Sequence, residues 1–249
     1  MPFSLVGWSE SQDSAVLIEV AALADPHLTS VGDIVRVPQF ASHLVGLYAL
    51  GLNVTRAQLR SPSLRRILNL EVMPLDRFAL PSTPLPIAMF PLSPIPLDVD
   101  EDITALAAED AVGAIRTSIF AFLADGPFEP ITGQIFTVRA TAAVTLGVGI
   151  WTNAALTFDQ QLPAGEYQIV GATFRSTNLV AFRFVFPGGA SRPGGIGNLA
   201  VNAVINAGQR RGGWGEWGRF RHTVPPTVDF LAFVADAAEA GEIDLIKVA

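Results

Sequence analysis

The sequence predicts an all-β protein whose antiparallel strands pack as a β-sandwich. Three observations support this fold class. Apolar and polar residues alternate with a period of two along several segments, turn residues separate these segments at short intervals, and few segments have helical spacing. Many short strands at such intervals are typical of sandwiches and barrels. The 249 residues are enough for one large β domain or two small ones.

The clearest β pattern lies in residues 162–188, which are predicted to form two strands joined by a tight turn. Phe182, Phe184 and Phe186 fall on one face of the second strand, and Arg183 falls on the other. A pleated strand separates residues in this way, whereas a helix would spread the three rings around its axis. The three phenylalanines are therefore predicted to be core residues.

The N-terminal residues are predicted to form five or six strands, including the apolar runs 13–23 and 43–54. Residues 55–69 are rich in arginine and are predicted to be a solvated loop or short helix, with an anion contact as the alternative. Residues 74–96 contain seven prolines, which cannot donate to a regular ladder, and are predicted to be an extended connection over apolar surface.

This proline-rich connection predicts the domain boundary. An N-terminal sandwich would comprise residues 1–97, and a C-terminal sandwich residues 98–249. Residues 98–110 begin with acidic residues, which suit the positive end of a helix dipole, and continue with Ile103 and Leu106 at helical spacing. They are predicted to be the one short connecting helix.

About eight strands are predicted after residue 110. Residues 134–146 alternate most regularly, with Val138 and Ala140 on one face and Arg139 on the other. Residues 140–158 just reach the length of a membrane-spanning helix. Their threonines and central glycines favour two strands and a turn instead.

The composition limits the classes of function. Only 16% of the residues are charged, below the ~25% usual for soluble chains, which indicates surface buried against other subunits or a membrane. The net charge of −7 argues against non-specific coating of nucleic acid. We also expect no direct sequence-specific binding of nucleic acid. The absence of cysteine excludes disulfides and thiolate metal sites.

No catalytic signature is present. The three histidines lie far apart in the sequence, and there is no nucleophile elbow. Acidic pairs such as Asp98 with Asp100, or Glu242 with Asp244, are expected to be solvated charge, with glycoside hydrolysis or calcium binding as the alternative. We expect no enzyme activity, cofactor or metal.

Residues 209–221 combine arginines with aromatic residues, a composition found both at protein contacts and at sites that stack on sugars or single-stranded nucleic acid. Because the rest of the chain is acidic, a subunit contact is favoured. The alternative is a carbohydrate-binding module or lectin in which Trp214 and Trp217 form a stacking platform. The candidate interface residues are Arg210, Arg211, Trp214, Trp217, Arg219, Phe220 and Arg221.

Four segments resemble the major capsid proteins of tailless, lipid-containing icosahedral phages, which have a double jelly-roll fold. They are residues 162–195, RSPSLRR at 60–66, PLDVDEDITALA at 96–107 and WGRFRHTVPPTVDFLAF at 217–233. The resemblance implies two tandem jelly rolls and a homotrimer with a pseudo-sixfold outline, tiled into the virion shell around the genome. It also implies other capsid or vertex proteins and an internal membrane as further partners.

Overall fold

The computed structural model describes residues 3–25, 28, 30–51, 54–66, 70–72, 88–110, 115–176, 178–199, 209–233 and 237–248. The chain divides into two compact units. The N-terminal unit is Leu5–Pro127, and the C-terminal unit is Phe128–Ala249 together with Met1–Ser4. The boundary predicted at residue 97 is therefore wrong, and residues 98–127 belong to the N-terminal unit.

The described part of the N-terminal unit has eleven strands and one short helix. They are β1 (Phe3–Gln12), β2 (Ile18–Glu19), β3 (Ser30–Val31), β4 (Ile34–Arg36), β5 (His43–Leu50), β6 (Val54–Arg60), α1 (Pro62–Arg65), β7 (Leu70–Val72), β8 (Ala88–Met89), β9 (Ile95–Pro96), β10 (Asp102–Glu109) and β11 (Ile115–Ala124).

These strands form two antiparallel sheets with jelly-roll connectivity. Sheet N1 has the order β1-β11-β5-β8, with β9 beside β5, and sheet N2 has the order β3-β4-β10-β6-β7, with β2 beside β10. The eight main strands are β1, β4, β5, β6, β7, β8, β10 and β11. When they are numbered 1 to 8 along the chain, the order is 1-8-3-6 in N1 and 2-7-4-5 in N2. The last and first strands pair, and consecutive strands lie in different sheets except for the fourth and fifth, which are neighbours in N2, as in a jelly roll.

Apolar side chains of both sheets form the core of the N-terminal unit. Trp8, Leu47 and Ile119 of N1 share one buried cluster with Leu59 and Ala105 of N2. Alternate residues of each strand point inward, which explains why period-two spacing marks these segments in the sequence.

The helix predicted for residues 98–110 is wrong, because most of this segment is strand β10. Ile103, Ala105 and Ala107 are core residues that alternate with outward-facing ones, and the strand pairs with β6 on one side and with β4 and β2 on the other. The helix in the described part of this unit is α1, where the Ser61 hydroxyl accepts a hydrogen bond from the Leu64 N–H as an N-cap.

The proline-rich connection lies largely outside the described residues, which resume at residue 88. From there β8 and β9 pair with β5, and Leu97 is buried in the core of the same unit. The prolines therefore interrupt the N-terminal jelly roll and do not end it.

The described part of the C-terminal unit has ten strands. They are β12 (Phe136–Thr145), β13 (Thr152–Ala155), β14 (Thr157–Phe158), β15 (Glu166–Ser176), β16 (Leu179–Val185), β17 (Gly194–Ile196), β18 (Asn198–Leu199), β19 (Gly218–Arg221), β20 (Thr227–Ala232) and β21 (Ala237–Lys247).

The C-terminal unit repeats the strand order of the N-terminal unit. Sheet C1 has the order β14-β12-β21-β15-β18, with β19 beside β15, and sheet C2 has the order β13-β20-β16-β17. The main strands here are β12, β13, β15, β16, β17, β18, β20 and β21. Numbered 1 to 8 along the chain, they again have the order 1-8-3-6 in C1 and 2-7-4-5 in C2. The predicted all-β fold with two tandem jelly rolls is confirmed by this connectivity.

The strands predicted within residues 162–188 exist, but they do not pair with each other. β15 lies in C1 and β16 lies in C2, so the turn between them links the two sheets. Phe174 of β15 meets Phe182 of β16 across the interior at 4.8 Å and Phe230 of β20 at 5.1 Å, both edge to face. The predicted core role of Phe182, Phe184 and Phe186 is confirmed, since all three are buried.

The regular alternation predicted for residues 134–146 is also confirmed. In β12, Val138 and Ala140 are buried while Thr137 and Arg139 are exposed. Within the residues that the structure describes, no helix has the length and apolarity needed to cross a membrane.

Phe174→Ala is expected to lower the free energy of unfolding by about 3–5 kcal/mol, because it leaves a cavity among rings from both C-terminal sheets. Denaturant titration would measure this change. Val224→Ala, at a side chain that is 51% exposed, is the control and is expected to change the same quantity by less than about 0.5 kcal/mol. Equal effects of the two substitutions would contradict the assignment of this core.

Candidate functional site

The candidate interface residues lie on one loop and the strand that follows it. The crossing loop, residues 209–217, passes over β15, where the Gly212 N–H donates to the Val170 carbonyl at 2.6 Å and the Trp217 N–H to the Ile169 carbonyl at 2.9 Å. Gly171 permits this close approach, because a Cβ there would lie 2.9 Å from the backbone of the loop. After the loop, β19 pairs with β15.

The aromatic residues of this segment point into the protein. Trp214, Trp217 and Phe220 are each 5% exposed or less. Trp217 stacks with Trp214 and with Phe182, both at 6.1 Å between ring centroids. The prediction that these three aromatic side chains lie on a free contact surface is therefore wrong.

The lectin alternative fails for the same reason. It required Trp214 and Trp217 to present their faces to a sugar, but both side chains are buried, and Trp217 stacks against Trp214 and Phe182. The left-handed backbone of Gly215 (φ +70°) lies between the two tryptophans and lets the chain turn so that both enter the core. A pattern of arginine and tryptophan does not itself reveal this inward turn.

The arginines of the segment have different roles. Arg210 holds the crossing loop to β21: its Nε and Nη2 donate to the two carboxylate oxygens of Asp244 at 2.7 and 2.9 Å, and its Nη1 donates to Glu242 at 2.7 Å. Arg175 binds the other oxygen of Glu242 at 2.6 Å. Such bidentate, charge-assisted bonds are the strongest class of side-chain hydrogen bond.

Asp244 is the centre of this network, although the sequence favoured solvated charge at this position. Its side chain is fully buried and also accepts hydrogen bonds from the Thr137 hydroxyl at 2.6 Å and the Arg211 N–H at 2.7 Å. Burial acts to raise the pKa of Asp244, but the bonds from Arg210, Thr137 and Arg211 outweigh it and hold the pKa below its ordinary value. The hydrogen bond from Arg210 likewise lowers the pKa of Glu242.

The other three arginines are exposed. Arg219 pairs with Glu216 of the same loop at 2.9 Å. Arg211 and Arg221 form no ion pair with any residue that the structure describes. The prediction that this segment makes a subunit contact stays a prediction, and these arginines are the residues that are available for it.

Two of the acidic residues near the start of β10 serve as surface ion-pair partners. Asp98 pairs with Arg66, and Asp102 pairs with Arg36 at 3.0 Å. Over the described ranges, no group of three or more histidine and acidic side chains is arranged to hold a metal ion.

Sheet C2 carries a buried charged cluster that was not predicted from the sequence. Arg183 pairs with Asp229 at 2.9 Å, Asn153 donates to the same carboxylate group at 2.7 Å, and the Arg183 guanidinium lies 4.3 Å from the ring centroid of Trp151. Arg183 and Asp229 are direct neighbours in the register of β16 and β20. Each is a lone charge within an apolar strand, and this shared feature could have suggested the pairing.

No protein family model matches the sequence, and no curated protein matches it. Among solved structures, the major capsid protein P2 of bacteriophage PM2 is 11% identical, with a TM-score of 0.27 over 99% of this chain and 98% of that one. A Paenibacillus xanthan lyase is 13% identical, with a TM-score of 0.23 over 96% of this chain but only 25% of the lyase. Both TM-scores are too low for either likeness to support an argument about this chain.

Asp244→Asn is expected to lower the free energy of unfolding at pH 7 by about 2–3 kcal/mol, because Arg210 loses the buried one of its two carboxylate partners. Denaturant titration would measure this loss. Asp159→Asn is the matched control, since Asp159 forms only an exposed 3.8 Å pair with Arg139, and a change below about 0.5 kcal/mol is expected.

The stabilisation by Asp244 is also expected to depend on pH. Because its pKa is lower in the folded state than the ~3.9 of an unfolded aspartate, the stabilisation is complete well above pH 4 and is lost as the pH falls through the folded pKa. The difference between wild type and Asp244→Asn should therefore shrink on acidification. A difference that stays constant from pH 7 to pH 2 would contradict a charged Asp244.

Proposed function

We propose that this chain is the major capsid protein of an icosahedral virus and that it assembles with copies of itself, first as trimers, into the shell that encloses the genome. It acts by assembly and not by catalysis, and its location is the virion. Other capsid or vertex proteins and an internal membrane are the further partners in this proposal.

The observation that carries the proposal is the repetition of a complete jelly-roll strand order in both halves of one chain. Jelly rolls also serve as lectins and cupins, so a single roll would favour no one function. Two rolls in one chain suit a shell, because three chains then supply six similar β-sandwiches around a threefold axis. Such a trimer has a nearly hexagonal outline and can tile a closed surface.

The surface composition supports assembly. Charged residues make up only 16% of the chain, and several large apolar side chains are exposed in the described residues. Exposed apolar groups mark surfaces that become buried against other molecules where they lie close together, as Val16 and Ile18 do in the sequence, and also Val148 and Ile150. The exposed apolar side chains are Val16, Ile18, Val31, Leu92, Val99, Val148, Ile150, Val224 and Val248.

Sedimentation velocity of the purified chain, followed by negative-stain microscopy, tests the proposal. We expect a species with three times the monomer mass, and triangular or hexagonal capsomers or closed particles at higher concentration. A chain that remains monomeric at every concentration and salt condition tested would contradict the proposed function.

A further inference from the structure

We infer that Arg211 is an intermolecular contact residue and that it binds an exposed acidic segment, residues 10–19, of a second copy of this chain. The inference rests on the proposed self-assembly and names the surfaces that meet. It begins from a backbone that is unusual for an arginine.

Arg211 has a left-handed backbone conformation, with φ of +52°. This conformation is unfavourable for residues with a Cβ and is normally occupied by glycine, asparagine or aspartate. Glycine occupies the next two positions, so the loop already uses glycine where the backbone turns. An arginine in this strained backbone conformation indicates that its side chain has a functional role.

The surrounding network holds the backbone of Arg211 in place. The backbone N–H of Arg211 donates a hydrogen bond to the buried carboxylate of Asp244, and the Arg210 side chain donates two hydrogen bonds to the same carboxylate. Gly212 is bonded to the Val170 carbonyl on the other side. Arg211 is thus held at a rigid point of the loop while its side chain is exposed and makes no ion pair in the described structure.

Residues 10–19 have the complementary chemistry. Glu10, Asp13 and Glu19 are exposed, the segment contains no basic residue, and none of the three pairs with a described arginine or lysine. Val16 and Ile18 of the same segment are 68% and 38% exposed. Arginine can bind such a segment in two ways: its planar guanidinium group pairs with the carboxylates, and the aliphatic part of its side chain packs against the apolar side chains.

Arg211 and residues 10–19 belong to different units of the chain. In a threefold ring each copy presents Arg211 to one neighbour and residues 10–19 to the other. A twofold dimer forms the same pair of contacts twice, so this contact is compatible with the proposed trimer but does not by itself select it.

Arg211→Gly separates assembly from folding. Glycine accepts the left-handed backbone, so the melting temperature should stay within about 3 °C of wild type, while the protein concentration needed for assembly rises at least tenfold. Arg65→Ala, at an exposed arginine on α1, is the control and should match wild type in both measurements. Sedimentation velocity over a concentration series provides the assembly readout.

The outcomes distinguish this contact from the proposed function. Assembly by wild type and by Arg211→Gly at the same concentration would overturn the contact and leave self-assembly standing. A wild-type chain that never assembles would overturn both. Equal losses in Arg211→Gly and Arg65→Ala would also overturn the specific role of Arg211.

Charge reversal tests the partner surface. Asp13→Arg with Glu19→Arg should impair assembly at least tenfold, as should Arg211→Glu, because each places like charges against each other. All three substitutions in one chain restore opposite charges between position 211 and positions 13 and 19, and should recover most of the lost assembly. Failure of the triple variant to assemble better than either parent would overturn the assignment of residues 10–19.

Discussion

Strand β21 is the element on which the C-terminal unit depends. It lies between β12, the first strand of the C-terminal jelly roll, and β15. The roll is therefore complete only when its last strand, β21, pairs with its first. Its inward side chains Ile243 and Leu245 join the core. Its outward side chains Glu242 and Asp244 bind Arg210 and fix the crossing loop. One strand thus couples the closed sandwich to the surface that presents Arg211.

Period-two spacing was sufficient to predict the all-β class and the core role of Phe182, Phe184 and Phe186, because a sheet with one buried face imposes that spacing directly. It could not show which strands pair. The strands around Phe174 and Phe182 read as a hairpin, but they lie in opposite sheets because their rings pack across the interior. Pairing depends on contacts that are distant in sequence.

The incorrect predictions share a cause, since each rested on local chemistry that tertiary contacts overrode. Residues 98–110 satisfied helical spacing, but Ile103, Ala105 and Ala107 also alternate, and strands on both sides of β10 decided the outcome. Trp214 and Trp217 lie among arginines and glycines in the sequence, and only the folded loop shows that both rings enter the core. The burial of Asp244 depended likewise on Arg210, which lies 34 residues away.

Cryo-electron microscopy of the purified oligomer is the most direct test of the double jelly-roll capsid subunit. We expect a threefold particle in which each chain contributes two β-sandwiches, so that six sandwiches surround the axis, with the crossing loop of one chain against residues 10–19 of its neighbour. An oligomer with twofold symmetry, or a protein found only as monomers, would contradict the proposed architecture and the assembly that follows from it.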